Sequence, residues 1–332
     1  MRNRPHHPPA LAVLSTLLLG ALIVVPARAG EASVEAAAHL EPAGDPRLSL
    51  TTGIGYLQAT ADEIVYGGPS RDGELSHLIW DVEHAAIWHI EGRLKATPDL
   101  DLFARFATHL DADGYLVDYD WLGTGDDWTD RSLHDDTALD HYFQTDAGAA
   151  WTFHESTALS LAAQFGFRYT DISFTARGGD FVYSTDPTGG LFRDDRGSFP
   201  AGEPGISYRQ QWPGLYLGPE ATWTRDRFSV KAGGLAGIAL SPSDRDHHWD
   251  RNLLFVEDFE SRGFFGAHLA LTQALTDSVS LNLEALYEYW QLAKGSTRVT
   301  DTATGEVEIY SGEAAGARLE SWQLRLGVSV AF

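Results

Sequence analysis

The last fourteen residues of the chain constrain its fold more than any other segment. Residues 319–332 read LESWQLRLGVSVAF, and from Trp322 onward apolar side chains occupy every second position up to Phe332. This period of two is that of a β-strand with one apolar face. A chain that ends on an aromatic residue in such a strand is typical of bacterial outer-membrane barrels.

The same alternation recurs along the chain, and the breaks between the alternating segments come in two lengths. Short breaks occur at residues 97–99, 154–156, 225–227 and 275–278. Long polar breaks lie between them, near residues 60–76, 111–137, 178–205, 241–252 and 295–316. In a transmembrane barrel, short turns face the periplasm and long loops face outside.

These patterns predict an all-β fold, a ten-stranded antiparallel transmembrane β-barrel extending above the outer membrane. Several strands exceed the ~9–11 residues needed to cross a bilayer. A soluble β-sandwich is the competing fold for such alternation. The ten strands are expected at residues 47–60, 77–96, 100–117, 138–153, 157–177, 206–224, 227–241, 253–274, 279–294 and 317–332.

The first residues of the chain predict export. Arg2 and Arg4 precede an apolar run at residues 11–25, and Ala27 and Ala29 form the A-x-A pattern that precedes a signal-peptidase cut. The apolar run is too short for a comfortable transmembrane helix. We therefore expect a signal peptide at residues 1–29 and a single barrel domain over residues 30–332.

Charge and cysteine content limit the partners of the chain. The formal net charge of −23 at pH 7 disfavours nucleic acid as a partner. An acidic cleft concentrates cationic substrates, although acidity that only keeps the protein soluble is an alternative. Because the chain has no cysteine, an exported domain must be held together by hydrogen bonding and packing alone.

Two acidic clusters fall at the outer ends of predicted strands. SDRDHHWD occupies residues 243–250, and LVDYDW occupies residues 116–121. Asp118 and Asp120 are two residues apart and share one side of a strand, as do Asp246 and His248. If both pairs point inward, two carboxylates face an Asp–His pair across the mouth of the barrel.

Such an arrangement has the parts needed to hydrolyse an amide without a serine, a cysteine or a metal. Two close carboxylates resist joint ionisation, so one holds a proton or both grip a water. A histidine held by an aspartate can take a proton from water as the water attacks a carbonyl carbon.

Two other interpretations of these clusters stay open. Asp and His at close spacing also bind zinc and other metals, although no H-E-x-x-H motif occurs. DADG at residues 111–114 does not meet the pattern of a calcium-binding loop. Aspartates at the rim can also be solvated loop charges with no chemical role.

Longer motifs show a resemblance to a known family. They are SFTARGGDFVYS at 173–184, FRDDRGSFPAGEPGISYRQ at 192–210, VDYDW at 117–121, DWTD at 127–130 and DRDHHWD at 244–250. In order and spacing they resemble the omptins, outer-membrane endoproteases of Gram-negative bacteria. The resemblance covers essentially the whole chain after the signal peptide, and it implies a ten-stranded barrel with its active site in the outer mouth.

The resemblance implies a catalytic set of four residues. Asp118 and Asp120 form the first pair, and Asp246 and His248 form the second. In the family a water between the pairs is the nucleophile, and His248, oriented by Asp246, would be its general base. His247 lies one residue off the inward face and should point away from the site.

The resemblance also implies the substrate, since omptins cut between two basic residues. The acids that select the residue before the scissile bond, in the S1 subsite, match Glu63 and Asp244. The acid that selects the residue after it, in the S1′ subsite, matches Asp130. Cationic peptides or proteins are therefore the expected substrates, and no cofactor or metal is expected.

The sequence departs from the family pattern on the outer wall. Omptins need lipopolysaccharide, whose phosphates are gripped by basic residues. Two positions that are arginine in the family are Asp171 and Gln211 here. Arg168 and Arg209 are nearby in the sequence, and we expect both on the opposite face. The prediction is that this phosphate site is lost. Three explanations stay open: the protein works beside a different outer-membrane lipid, it works without lipid, or Arg262 and other residues rebuild the site elsewhere.

Two other functions compete with proteolysis. A binding protein or adhesin of the same fold would have no need to keep four catalytic residues and three subsite acids. A passive pore would need an open lumen, whereas a ten-stranded barrel is narrow and is expected to be filled by side chains.

Overall fold

Antiparallel β-strands form the part of the chain that the structure describes. The computed structural model describes residues 47–68, 73–123 and 125–332. The predicted signal peptide at residues 1–29 and the predicted start of the domain at residue 30 lie outside these ranges. Over the described residues, no helix is long and apolar enough to cross a membrane.

The strands are numbered in chain order. They are β1 (Leu48–Tyr66), β2 (Glu74–Thr97), β3 (Leu100–Asp120), β4 (Asp130–Glu155), β5 (Leu159–Arg177), β6 (Asp180–Tyr183), β7 (Asp195–Ser198), β8 (Pro204–Arg225), β9 (Phe228–Ala239), β10 (Ser243–His248), β11 (Leu253–Phe259), β12 (Gly263–Ala274), β13 (Val279–Asp301) and β14 (Val307–Ala331).

The strands close into a ring. β1 is hydrogen-bonded to β2 on one side and to β14 on the other, so the first and last strands seal the sheet. β9 and β10 share one position in the ring, and β11 and β12 share the next. β6 and β7 form a hairpin that pairs with the first residues of β4. The other eight strands hold one position each, so the ring has ten positions, which confirms the predicted ten-stranded antiparallel β-barrel.

Several strands are longer than the sequence indicated. β1 continues to Tyr66, β3 continues to Asp120 and β4 begins at Asp130, so the loops predicted near residues 60–76 and 111–137 are largely strand. Those loop predictions are wrong because a strand that has water on its outer face needs no apolar side chains there. The alternation that reveals the strand then fades, while the backbone pairing continues.

Two interruptions shape the side of the ring that carries β9 to β12. The predicted strand at 253–274 is broken at residues 260–262, and the loop predicted near 241–252 contains β10. Between β9 and β10, Ser241 has a φ of 50° and Pro242 has no backbone N–H to donate to the ladder. The interruption also changes which residues face inward. Ala239 is buried at the end of β9, whereas Asp244 and Asp246 are buried in β10.

The half of the ring near the short turns is filled with ion pairs and surrounded by apolar side chains. Arg168 lies inside, where its Nη2 atom is 2.6 Å from Oδ2 of Asp146 and its Nη1 atom contacts Glu288. On the outer face, exposed leucines such as Leu217 and Leu326 form a belt. A polar interior inside an apolar belt is the arrangement of a transmembrane barrel.

Candidate active site

The residues singled out in the sequence gather at the end of the ring opposite the short turns. Adjacent antiparallel strands bring the end of one and the start of the next to the same rim. The strand ends place there Glu63 from β1, Asp118 and Asp120 from β3, Asp130 from β4, and Asp244, Asp246 and His248 from β10.

Asp246 and His248 form a contact pair on the inner face of β10. Nε2 of His248 lies 2.6 Å from Oδ2 of Asp246, whose side chain is buried. His247 points to the other face, where its ring lies 3.9 Å from the ring of Trp249. Burial by itself lowers the pKa of His248, and the Asp246 carboxylate more than offsets this, so the pKa lies above its usual 6.5.

Asp118 and Asp120 form a second pair at the end of β3. The Ser76 hydroxyl on β2 donates a 2.9 Å hydrogen bond to Oδ1 of Asp118. Burial raises the pKa of Asp118 above its ordinary value. Burial and the negative charge of Asp118 together raise the pKa of Asp120 to about 8. One proton is therefore retained by this pair near neutral pH.

The two pairs lie within electrostatic range of each other. The charge of His248 lowers the pKa of Asp118, and the charge of Asp118 in turn raises the pKa of His248. A proton acceptor and a partly protonated carboxyl pair thus occur in one site. This is the combination that general acid–base chemistry on a bound water requires.

Asp130 lies beside this site and is held by the loop between β6 and β7. It is directly opposite Asp120 in the β3–β4 register. Its Oδ1 atom accepts a 2.9 Å hydrogen bond from the backbone N–H of Ser184, and its buried Oδ2 atom has no hydrogen-bond partner. The backbone of Ser184 therefore holds Oδ1 in place, and Oδ2 can accept a hydrogen bond from a bound ligand.

Glu63 and Asp244 line a buried acidic pocket above an aromatic floor. The Trp80 ring in this floor stacks on the Tyr208 ring at a centroid distance of 5.4 Å. Trp80 Nε1 donates to Oε2 of Glu63 at 3.4 Å, and Tyr208 donates to Oδ2 of Asp244 at 2.7 Å. Burial raises the pKa of Glu63, and the charges of Asp246 and Asp244 raise it further.

Glu257 belongs to the same pocket, and sequence reasoning missed it. It lies on β11 directly opposite Asp244. Burial raises the pKa of Glu257 to about 7. The residue falls within a segment predicted as a strand, VEDF, where nothing distinguishes it from the exposed Asp258. The signal that finds it is the β10–β11 register, which the sequence alone does not provide.

His134 is a second buried residue that the sequence did not single out. Its Nε2 atom lies 3.0 Å from the Ser132 hydroxyl, and its Nδ1 atom lies 2.5 Å from the carbonyl oxygen of Gly178. Ser132 is the register partner of Asp118, so His134 lies on the strand beside the carboxyl pair. It was missed because residues 111–137 were predicted to be a loop.

Among residues 47–68, 73–123 and 125–332, no group of three or more His, Asp or Glu side chains is arranged so that it could hold a metal ion.

The outer wall holds the position where the family pattern is lost. Asp171 lies between β4 and β8 and accepts hydrogen bonds from Nε and Nη2 of Arg209 at 2.9 and 2.5 Å. Tyr169 and Gln211 also donate to its Oδ2 atom. The prediction that Arg209 lies on the opposite face is wrong, because Arg209 and Gln211 are two residues apart on β8 and share the outer face. Arg168 does lie inside.

The fold and the site together define the class of protein. The chain is a closed antiparallel transmembrane β-barrel whose buried carboxyl groups and histidine gather at one rim. The same overall fold occurs in the crystal structure of outer membrane protease OmpT from Escherichia coli, with a TM-score of 0.80 at 24% identity over 86% of this chain and 97% of that chain.

The chain belongs to the omptin family, because the model of the Omptin family matches residues 45–332. It is 27% identical over 287 residues to Protease 7 of Escherichia coli strain K12, covering 84% of this chain and 88% of the relative. It is 24% identical over 322 residues to the plasminogen activator of Yersinia pestis, covering 96% and 99%. The resemblance seen in the sequence motifs is thereby confirmed.

Proposed function

We propose that this protein is an outer-membrane endoprotease that cleaves peptide bonds between paired basic residues. The observation that carries the proposal is the meeting of the Asp246–His248 pair with the Asp118–Asp120 pair at one rim. The names of the relatives support the general class, since Protease 7 is a protease and another relative is named outer membrane protease OmpP.

In the proposed mechanism, His248 is the general base and a water molecule is the nucleophile. Because Nε2 of His248 donates to Asp246, Nδ1 carries the lone pair that accepts a proton. The water loses that proton as its oxygen attacks the carbonyl carbon of the scissile bond. The imidazolium that forms is stabilised by the Asp246 carboxylate and then protonates the leaving amine.

In the same mechanism, Asp118 and Asp120 position the water and stabilise the charge that develops on the carbonyl oxygen. A protonated carboxyl group can donate to that oxygen, whereas two carboxylates would repel it. The raised pKa of Asp120, about 8, supports a retained proton at neutral pH. This route needs no serine, cysteine or metal.

The proposed substrates are cationic peptides or proteins with two adjacent basic residues. Glu63 and Asp244 would receive the side chain before the scissile bond, and Asp130 would receive the side chain after it. The unpartnered oxygens of Asp130 and Asp244 support this assignment, because buried carboxylates without donors are costly until a cation pairs with them.

The proposed location is the bacterial outer membrane, with the site facing the extracellular side. The site lies at the rim opposite the short turns, which in such barrels face the periplasm. Outer-membrane lipid would surround the apolar belt. We also propose that lipopolysaccharide is not required, since Arg209 is already paired with Asp171 on the outer wall.

A cation-binding protein without catalytic activity is the second candidate. The buried acidic pocket would serve such a protein equally well. The Asp246–His248 contact favours catalysis. Asp246 stabilises the positively charged form of His248, and a second positive charge beside the pocket would not help a protein that only binds cations.

The test is cleavage of a quenched fluorescent peptide containing Ala-Arg-Arg-Ala by the refolded protein, with the cut mapped by mass spectrometry. We expect a single cut between the arginines and none in Ala-Glu-Glu-Ala. His248→Ala should abolish cleavage, and the matched variant His247→Ala should retain it. Binding of the basic peptide without any cut would favour the second candidate.

A further inference from the structure

Asp244 and Glu257 form a buried carboxyl pair across two neighbouring strands. They are direct partners in the β10–β11 register. Their side chains lie inside the ring, and the residues are only 4% and 2% exposed. Burial and the charge of Glu257 raise the pKa of Asp244 well above its ordinary value, and burial raises the pKa of Glu257 to about 7, so the pair retains a proton near neutral pH.

Both members of this pair have an oxygen that meets no donor. Asp244 Oδ1 and Glu257 Oε2 are buried and have no hydrogen-bond partner. Tyr208 donates only to the other oxygen of Asp244. Buried polar atoms of this kind are rare because each one forfeits a hydrogen bond to water. A ligand with several N–H donors would satisfy both.

The groups that face the Asp244–Glu257 pair are acidic or neutral in the part of the chain that the structure describes. Glu63 from β1 and Asp246 from β10 are acidic, and Tyr208 from β8 is a neutral donor. Two positive groups of this rim are paired with other acids, His248 with Asp246 and Arg318 with Asp62. On the β13 side, Glu257 faces the hydroxyl-bearing Thr297.

We infer that Glu257 is a third acidic residue of the pocket for the basic side chain before the scissile bond, and that a proton shared by Asp244 and Glu257 leaves when that cation binds. The inference rests on the proposed function for the identity of the cation. Binding replaces the bridging proton with N–H donors, and the proton passes to solvent. Glu257 is a specificity residue here and takes no part in bond making.

Two measurements test this inference. The first is binding of the Ala-Arg-Arg-Ala peptide to the His248→Ala protein by calorimetry at pH 7 in two buffers of different ionisation enthalpy. We expect net proton release on binding, and its disappearance in His248→Ala/Glu257→Gln. The second measurement is kcat/KM for cleavage of the same peptide by the Glu257→Gln single variant. The Asp258→Asn single variant is the matched control.

Glu257→Gln should lower kcat/KM for the peptide roughly 10- to 100-fold, the loss expected when a charged hydrogen-bond partner is removed. The change should fall on KM, with kcat nearly preserved. Asp258 is exposed on the other face of β11, so Asp258→Asn should have no effect.

The outcomes separate the inference from the proposed function. Cleavage by the wild type with unchanged kinetics in Glu257→Gln, or binding without proton release, would overturn the inference and leave the protease intact. Binding with proton release but no cleavage by the wild type would support the pocket and overturn the protease. Failure of the basic peptide to bind would overturn both.

Discussion

His248 and Asp246 share the inner face of β10, with Nε2 of the imidazole 2.6 Å from Oδ2 of the carboxylate. Asp246→Asn should lower kcat by roughly 10²–10⁴-fold, the usual contribution of a correctly held general base. It should also move the acidic limb of the pH–rate profile to lower pH, because the Asp246 charge is what raises the pKa of His248 against burial. Asp250→Asn, in the exposed turn after β10, is the control. An unchanged acidic limb in Asp246→Asn would contradict the assignment of His248 as base.

The pH dependence of the wild type should be bell-shaped. His248 must be neutral to accept a proton, and its pKa is raised, so kcat/KM should rise with pH through a value above 6.5. Asp120 has a pKa of about 8, so activity should fall as the carboxyl pair loses its proton near that pH. Asp120→Asn should move the alkaline limb to higher pH as well as lowering the maximum rate. A limb that stays near pH 8 in this variant would exclude Asp120 as its source.

The two proposed subsites should be separable by substitution. Asp244→Asn should lower kcat/KM roughly 10- to 100-fold for peptides with arginine before the scissile bond, because a buried charged partner is lost. Asp130→Asn should do the same for arginine after the bond. Peptides containing Ala-Arg-Arg-Ala, Ala-Arg-Ala-Ala and Ala-Ala-Arg-Ala measure the two effects independently. Equal losses on all three peptides in either variant would show a general defect rather than a subsite.

Lipopolysaccharide should not stimulate cleavage. Both Nε and Nη2 of Arg209 bond to Asp171, so that guanidinium is already occupied on the outer wall. Peptide cleavage in phospholipid vesicles should be the same with and without added lipopolysaccharide, and Arg209→Ala should not change it. Asp171→Asn, which frees Arg209, is the informative partner variant and should strengthen lipopolysaccharide binding. Strong stimulation of the wild type would contradict this prediction.

The chain should not digest itself. No two adjacent residues in its sequence are both Lys or Arg. Asp250→Arg would create one such pair with Arg251 in the exposed turn between β10 and β11. On incubation of this variant we expect a cut between residues 250 and 251, detected by mass spectrometry and prevented by adding His248→Ala. The wild type serves as the uncut control, and an intact Asp250→Arg protein would argue against cleavage of paired basic residues.

The sequence predicted the parts of the fold that lie in the apolar belt. Lipid on one side of a strand and packed side chains on the other impose strict alternation, as in residues 319–332. Where the strands rise into water, the outer face is free to be polar, so the extensions of β1, β3 and β4 were predicted as loops. The shared inward face of Asp246 and His248 was nevertheless predicted, because the two residues lie within three consecutive positions and spacing alone fixes their common face. The catalytic role of the four residues stays a prediction.

The rest of the site depends on relationships between distant strands. Glu257 joins the acidic pocket only through its register with Asp244, and His134 comes near the carboxyl pair only through the register of β3 with β4. A shift of one residue in either strand would break the pairing of Glu257 with Asp244, and no local pattern records that register. The face of Arg209 is a different case, because Arg209 and Gln211 are two residues apart on β8 and the sequence spacing already places them on one face.

The interruption at residues 240–242 shifts the alternation of inward and outward side chains by one residue between β9 and β10. Were β9 to run unbroken into β10, the inward positions would be odd-numbered, and the barrel mouth would receive Arg245 and His247 in place of Asp244, Asp246 and His248. The mouth would then lose both of the acids and the histidine that β10 contributes. Ser241, which is exposed next to the exposed Leu240, is the extra residue that moves the inward face from odd to even positions, so the chemistry of the rim depends on a residue that takes no part in it.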